Sequence, residues 1–342
     1  LPLAKELSRT SDIRLICSNA DIRDFPDLER IISRVDIRPL KRLLSYSPLR
    51  WSQKNFIFAE YNLFDYFASF YLQDSEPVYA LQGMALEIFK KAKQKGLKRV
   101  LIATTLHIEF VWQMHKEEER ILGYDYEWLS RRLVDKMLLE YKLADEIIVP
   151  SRLTQETFLN RAFPAEKLTY IPHRCNLEFF KRRGPKKDNI FRVLYVGRFS
   201  PQKGIHYLVK AFDQLRLPDS ELLLFGSTAT RQLRRWFKEL SSDIPNIRVD
   251  SGDPRSAYEQ SSVLVHPSLN DNTGATVDEA LAYGLPVIVT ENTGAKELIR
   301  SPEEGFIIPI RNIEAIKEKI AYFYKKHTEC AFDRASKGGN RC

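Results

Sequence analysis

The sequence predicts an α/β protein of two doubly wound, parallel-sheet domains, and three observations lead there. Short apolar, β-branched runs alternate with helical segments along the chain, the rhythm of parallel βα units. The length of 342 residues is that of two domains, each large enough to bury a core of its own. Between two such runs of elements lies Lys181–Asn189, KRRGPKKDN, which reads as a linker. The expected domains are therefore residues 1–182 and 190–330.

In the first half, strands are expected at Asp12–Ser18, Glu76–Ala80, Arg99–Thr104 and Glu146–Pro150, with helices over Gly83–Lys95 and Tyr126–Leu143. In the second half, strands are expected near 192–196, 221–225, 263–266, 286–290 and 306–308, and helices near 204–215, 229–240, 274–283 and 313–326. No short internal repeat is evident, and no apolar run approaches the ~20 residues of a membrane span. Doubly wound domains bind ligands at the carboxyl ends of their strands, so two of them placed face to face predict an active site in the cleft between.

Two stretches of the second half have the build of a ligand site. His266–Ile299, HPSLNDNTGATVDEALAYGLPVIVTENTGAKELI, joins a strand end, a polar loop to Gly274, a helix over Ala275–Tyr283 stopped by Gly284, and a buried strand. Asp271 in the loop and Glu279 in the helix aim two acceptor-only groups at a common space, which suits a ligand rich in hydroxyls. Upstream, Val193–Phe212, VLYVGRFSPQKGIHYLVKAF, is a strand, a loop holding Gly197, Arg198, Lys203 and Gly204, and another helix. A glycine allows close backbone approach, the N–H groups opening a helix favour an anion, Arg198 can grip phosphate oxygens in a fork and Lys203 adds a point charge. A diphosphate fits there; an ordinary strand–turn–helix unit with surface charges is the plainer alternative.

Gly197-Arg198, Lys203-Gly204, Asp271 with Glu279 eight positions on, and the following runs at 280–287 and 293–299 stand in the order found in one family. The chain resembles retaining glycosyltransferases of family four, the group 1 glycosyltransferases, which have the GT-B fold of two Rossmann-like domains. The resemblance covers most of the chain, including Ala144–Phe180, which looks like that family's strand, serine-capped helix and Pro-containing strand before the linker. It implies that Arg198 and Lys203 neutralise a leaving diphosphate, that Glu279 binds ribose hydroxyls, and that Asp271 holds sugar hydroxyls. Gly274 and the next N–H groups would cap the phosphate or sugar, and Gly197, Thr273 and Ala275 would complete the donor site. His107, after the strand ending at Thr104, would line the donor sugar from the first domain; a half-buried loop histidine is the alternative. No metal or other cofactor is expected, since Arg198 and Lys203 supply the positive charge and no Asp-x-Asp triplet is present.

The chain departs from the family at three places. The opening LPLAKELSRTSDIRLIC reads as the end of a first helix followed by the second strand, so the first strand and its acceptor-side loop are expected to be missing. The final helix that crosses back to the first domain is expected to be cut short after Lys326. The family's Glu-Gly-Phe-Gly is Asp271-Asn272-Thr273-Gly274 here, which moves the acceptor by a methylene, worth about 1–3 kcal/mol if a hydrogen bond is lost.

The net charge is +8, and the basic excess gathers at 30–58, where Arg30, Arg34, Arg38, Lys41, Arg42, Arg50 and Lys54 face Asp36 alone among Leu40, Leu43, Trp51 and Phe56. That mixture predicts peripheral contact with an anionic membrane, against a solvated face or nucleic-acid binding, for which no module is present. Cys17, Cys175, Cys330 and Cys342 fall in no metal or redox spacing and read as reduced thiols; with no signal peptide at Leu1, a cytoplasmic protein is expected, placed at the inner membrane face by 30–58. The function expected is sugar transfer with retention from a nucleoside-diphosphate sugar to a hydroxyl of a polysaccharide or lipid-linked glycan. The alternative is a non-catalytic sugar-nucleotide-binding or partner subunit of the same fold. A dinucleotide-dependent dehydrogenase is disfavoured because no G-x-G-x-x-G follows a strand.

Overall fold

Contacts divide the chain into two units, Leu1–Arg174 and Cys175–Cys342. The computed structural model describes residues 15–17, 32–34, 37–72, 77–125, 129–172, 180, 186, 188–242 and 244–337, with backbone alone at 15–17, 32–34, 50–51 and 330–337. The four cysteine side chains, the opening residues up to Arg14 and most of the expected linker lie outside the described residues.

In the first unit, β1 (Leu15–Cys17) and β2 (Ile32–Arg34) form a separate parallel pair. The main sheet is parallel, with β3 (Val78–Leu81), β4 (Arg99–Ile102), β5 (Glu146–Val149) and β6 (Leu168–Tyr170) in that order. Its helices are α1 (Arg38–Tyr46), α2 (Gln53–Ala68), α3 (Leu86–Gln94), α4 (Ile108–Leu122), α5 (Arg131–Leu143) and α6 (Arg152–Leu159). The serine cap expected after β5 is present: Thr154 N–H donates to Ser151 Oγ at 3.0 Å, satisfying one of the orphan donors that open α6.

The N-terminus of α3 is closed by the protein itself. Asp65 of α2 accepts from the N–H groups of Glu87 and Ile88, and Glu140 of α5 accepts from Gly83 N–H at 2.6 Å and Ala85 N–H at 3.0 Å. Lys136 bridges the two buried carboxylates. Burial is the larger influence on Glu140 and raises its carboxyl above the usual range, with Lys136 and the two N–H groups opposing. Carboxylates thus occupy the position where a helix N-terminus would otherwise receive a phosphate.

The second unit runs β7 (Phe191–Arg198), α7 (Ile205–Leu215), β8 (Ser220–Ser227), α8 (Arg231–Ser241), β9 (Ile247–Asp250), α9 (Arg255–Gln260), β10 (Val263–His266), α10 (Ala275–Ala282), β11 (Val287–Thr290), β12 (Gly305–Ile308) and α11 (Ile313–Lys337). Its parallel sheet has the order β12-β11-β10-β7-β8-β9. The chain therefore winds outward from β7 in one direction, returns, and winds outward from β10 in the other. This reversal leaves a crevice beyond the carboxyl ends of β7 and β10, where doubly wound folds bind ligands. Alternation along β7 fills both faces: Val193 and Tyr195 join one core cluster, Leu194 and Val196 the other.

Several elements differ from expectation. β9, α4 and α9 were not anticipated, and α11 continues to Lys337 rather than stopping near Lys326. The basic stretch 30–58 is not one segment. Ser47 and Ser52 cap separate helical turns within it, and Ile57 and Phe58 of α2 pack against the core of the first unit.

Candidate active site

The loop after β7 is shaped by two glycines that cannot be replaced without moving backbone. Gly226, on the neighbouring strand, has φ +149°, and a Cβ there would lie 1.9 Å from the Gly197 carbonyl oxygen. Gly204 has φ +65°, and a Cβ there would lie 1.9 Å from the Pro267 carbonyl oxygen. Between them, Tyr195 Oη donates to the Arg198 carbonyl at 2.7 Å, and Pro201–Lys203 forms a single 3₁₀ turn. Arg198 is left exposed at the end of β7, while Lys203 is turned toward the loop after β10.

Asp271 gathers that loop. Its Oδ2 accepts from Lys203 Nζ at 2.5 Å and lies 3.0 Å from His266 Nε2. Its Oδ1 accepts from the N–H groups of Thr273 and Gly274 at 3.4 and 3.3 Å. Main-chain bonds pin the residue from both sides, Asp271 N–H to Asn292 O and Gly294 N–H to Asp271 O, each 2.9 Å. Burial opposes ionisation of Asp271, but the Lys203 ammonium and the His266 hydrogen bond outweigh it and hold the carboxyl well below the usual range. It is an anion fixed between a cation, an imidazole and two amides.

Gly274 (φ +68°) opens α10, packed so closely that a Cβ would meet the Ala295 Cβ at 2.8 Å. Ala275 and Glu279 are four residues apart and share a face of that helix, with Glu279 about 7.5 Å along the axis from Gly274 at 1.5 Å per residue. Tyr258 Oη donates to Glu279 Oε2 at 2.6 Å, and its ring stacks on Tyr283. Burial raises the Glu279 carboxyl above its ordinary range, with Tyr258 opposing. The crevice thus holds an exposed guanidinium, a largely buried ammonium, the N–H groups of a helix start and two carboxylates, a set able to receive an anionic ligand that also carries hydroxyls.

Residues 177–336 match the model of the family described as glycosyl transferases group 1. Those residues belong to the group 1 glycosyltransferases. The chain is 34% identical over 139 residues to the capsular polysaccharide biosynthesis glycosyltransferase CapM of Staphylococcus aureus, covering 39% of this chain and 36% of that one. It is 28% identical over 198 residues to an uncharacterized glycosyltransferase of Haemophilus influenzae, covering 56% and 55%. The matches thus span about half, or less, of these curated relatives. Among solved structures, HepE of Anabaena in complex with UDP-glucose shares the GT-B fold, with a TM-score of 0.64 at 17% identity over 91% of this chain and 81% of that one.

Within the matched residues, Lys203, Asp271, Thr273 and Gly274 meet directly, Arg198 and Gly197 end the adjacent strand, and Ala275 and Glu279 follow on α10. His107 lies in the other unit and is 4% exposed. Its Nδ1 accepts from Glu109 N–H at 3.3 Å, capping α4, and its ring packs against Tyr141 and Phe158. Burial, with a smaller push from Arg161, lowers its pKa to about 4, so it is neutral at physiological pH. The half-buried loop histidine weighed from sequence is thus more deeply buried and has a capping duty.

Two residues of the second unit escaped the sequence reading. His266 ends β10 at the carboxyl end of a parallel strand, the same kind of position as that of His107, and this is the signal that marks it. Tyr258 gave no signal, because only the fold brings α9 against Glu279.

Proposed function

We propose that this chain transfers a sugar, with retention, from a nucleoside-diphosphate sugar to a hydroxyl of a polysaccharide or lipid-linked glycan. The observation that carries the proposal is the meeting of Lys203 with the opening of α10 through Asp271, beside the exposed Arg198, at the strand-order reversal of the sheet. Arg198 and Lys203 stabilise negative charge gathering on the departing diphosphate, Glu279 accepts from ribose hydroxyls, and the leaving phosphate takes the acceptor proton. His107 remains the candidate from the first unit for the sugar, through its Nε2. The binding of UDP-glucose by HepE supports a nucleotide-sugar donor. Donor binding is independent of metal in this proposal, since Lys203 Nζ already holds the carboxylate that a divalent ion would need.

A second reading has one observation in its favour. All the strong acceptor positions of Asp271 are in use within the loop, which leaves little of it for a sugar hydroxyl and suits a subunit that binds donor without transferring.

Thermal unfolding with UDP, GDP, ADP and their common sugar conjugates tests the proposal. One nucleoside diphosphate should raise the unfolding midpoint equally with and without EDTA, with stabilisation of about 2.7 kcal/mol at a hundredfold excess over its Kd. No response to any of them refutes donor binding, and a response lost in EDTA and restored by magnesium refutes metal independence. Nucleoside diphosphate release that needs an acceptor separates transfer from binding alone.

Membrane contact is proposed at α1 rather than across 30–58. Lys54 is engaged with Asp125 and Glu119, whereas α1 buries no residue and presents Arg42, Leu43 and Tyr46, the last two 68% and 69% exposed. Among the described residues, no helix is long and apolar enough to cross a membrane. Vesicles rich in phosphatidylserine should co-sediment the protein in a salt-sensitive way, at about 1 kcal/mol per basic group near the surface, and neutral vesicles should not. Equal recovery with both leaves α1 a solvated face.

A further inference from the structure

We infer that His266 is a positioning residue for the donor diphosphate, acting through Asp271 on Lys203; the inference rests on the donor site proposed above. Three segments meet at this buried imidazole. Its own strand, β10, ends there, and the next residue, Pro267, is the one whose carbonyl sits against Gly204 directly after Lys203. Its Nε2 is 3.0 Å from Asp271 Oδ2, the oxygen that also accepts from Lys203. Its Nδ1 is 3.4 Å from the hydroxyl of Thr276, in the first turn of α10. The ring therefore ties the lysine turn, the aspartate loop and the helix start together.

The hydrogen positions follow from the chemistry of the partners. An ionised carboxylate only accepts, so Nε2 carries the hydrogen and donates to Oδ2. Nδ1 then faces the Thr276 hydroxyl, which can donate to it or accept from it. This arrangement fixes which way Asp271 faces. A lysine side chain has four rotatable bonds and loses much freedom when held, so an ammonium already anchored by a fixed carboxylate spends less entropy on meeting a phosphate. A carboxylate held only by Lys203 could swing with it. One also held by His266 and two loop amides cannot.

The inference predicts coupling, which a role confined to fold stability does not. Nucleoside diphosphate affinity is measured by calorimetry, with whichever of UDP, GDP and ADP stabilises the wild type, for His266→Asn, His266→Gln, Lys203→Ala and the double variant His266→Asn/Lys203→Ala. Gln places an amide nitrogen near the position of Nε2 and should stay within threefold of wild type, whereas Asn falls short of Asp271 and should weaken binding about tenfold. In the Lys203→Ala background, His266→Asn should add less than a twofold loss, because the group it acts through is gone. Should His266→Asn not fold, Thr276→Val, which removes the hydroxyl on Nδ1, takes its place in the same cycle. A loss that is as large without Lys203 as with it overturns the inference while leaving donor binding intact. A wild type that binds no nucleoside diphosphate overturns the donor site and this inference together.

Discussion

Gly204→Ala should lower the unfolding midpoint of the second unit well beyond the effect of Gly284→Ala. The two glycines have nearly the same left-handed backbone, φ +65° and +71°, so alanine meets the same conformational strain at both, about 1–2 kcal/mol. They differ in room. A Cβ at 284 has nothing within 4 Å, whereas at 204 it would stand 1.9 Å from a backbone carbonyl, which no rotamer change relieves. Moving that backbone adds an overpacking cost of about 1–3 kcal/mol, several degrees in midpoint for a unit of this size. Because the displaced turn carries Lys203, nucleoside diphosphate binding should fall at 204 and survive at 284. Matching midpoints for the two variants would refute the close packing of the lysine turn against Pro267.

How far the sequence foretold this site depends on which feature is considered. Strand periodicity and the positions of Gly197, Lys203, Asp271 and Glu279 were legible because each is a local signal: an apolar run, a glycine at a strand end, a charge in a loop. The partnership of Lys203 with Asp271 was not, since 68 residues separate them and only the adjacency of β7 and β10 brings their loops together. Reading each as a ligand for the donor missed that they hold one another. β9 was missed for a different reason: Ile247–Asp250 is half exposed and carries Arg248, so it lacks the continuous apolar run of its neighbours. Within the basic stretch 30–58, Ile57 and Phe58 of α2 pack on the core of the first unit, a contact that local composition does not reveal.

Asp271 and Glu279, eight positions apart, should respond to neutralisation in opposite ways. Asp271 is held well below the ordinary carboxylate range in the fold, chiefly by Lys203 and His266 acting against burial, so it contributes stability above the unfolded value of 3.8 and loses it as pH falls. Asp271→Asn at pH 7 removes that contribution and leaves a largely buried ammonium without its counter-charge. The cost should be roughly 2–3 kcal/mol, less than the 3–5 kcal/mol of a fully buried pair because the two side chains are 13% and 18% exposed. Glu279 is shifted the other way, by burial. Its stabilising contribution is present below the unfolded value of 4.5 and is lost as pH rises through its folded pKa, so at pH 7 its charge is a burden on the fold. Glu279→Gln lifts that burden and keeps an oxygen for the Tyr258 hydroxyl, so its midpoint should match or exceed that of the wild type. Binding should move the opposite way. Ribose is common to the free nucleotide and the sugar donor, so Glu279→Gln should weaken both by a similar factor, about 1.5–3 kcal/mol for a charge-assisted hydrogen bond. Wild-type affinity should begin to fall, on acidification, at a pH above the ordinary carboxylate range, and the Gln variant should lack that step. Calorimetry and thermal unfolding at pH 7 decide it: a Glu279→Gln protein that is less stable than wild type, or that binds nucleotide as well, removes Glu279 from the donor site and makes it a structural partner of Tyr258 alone.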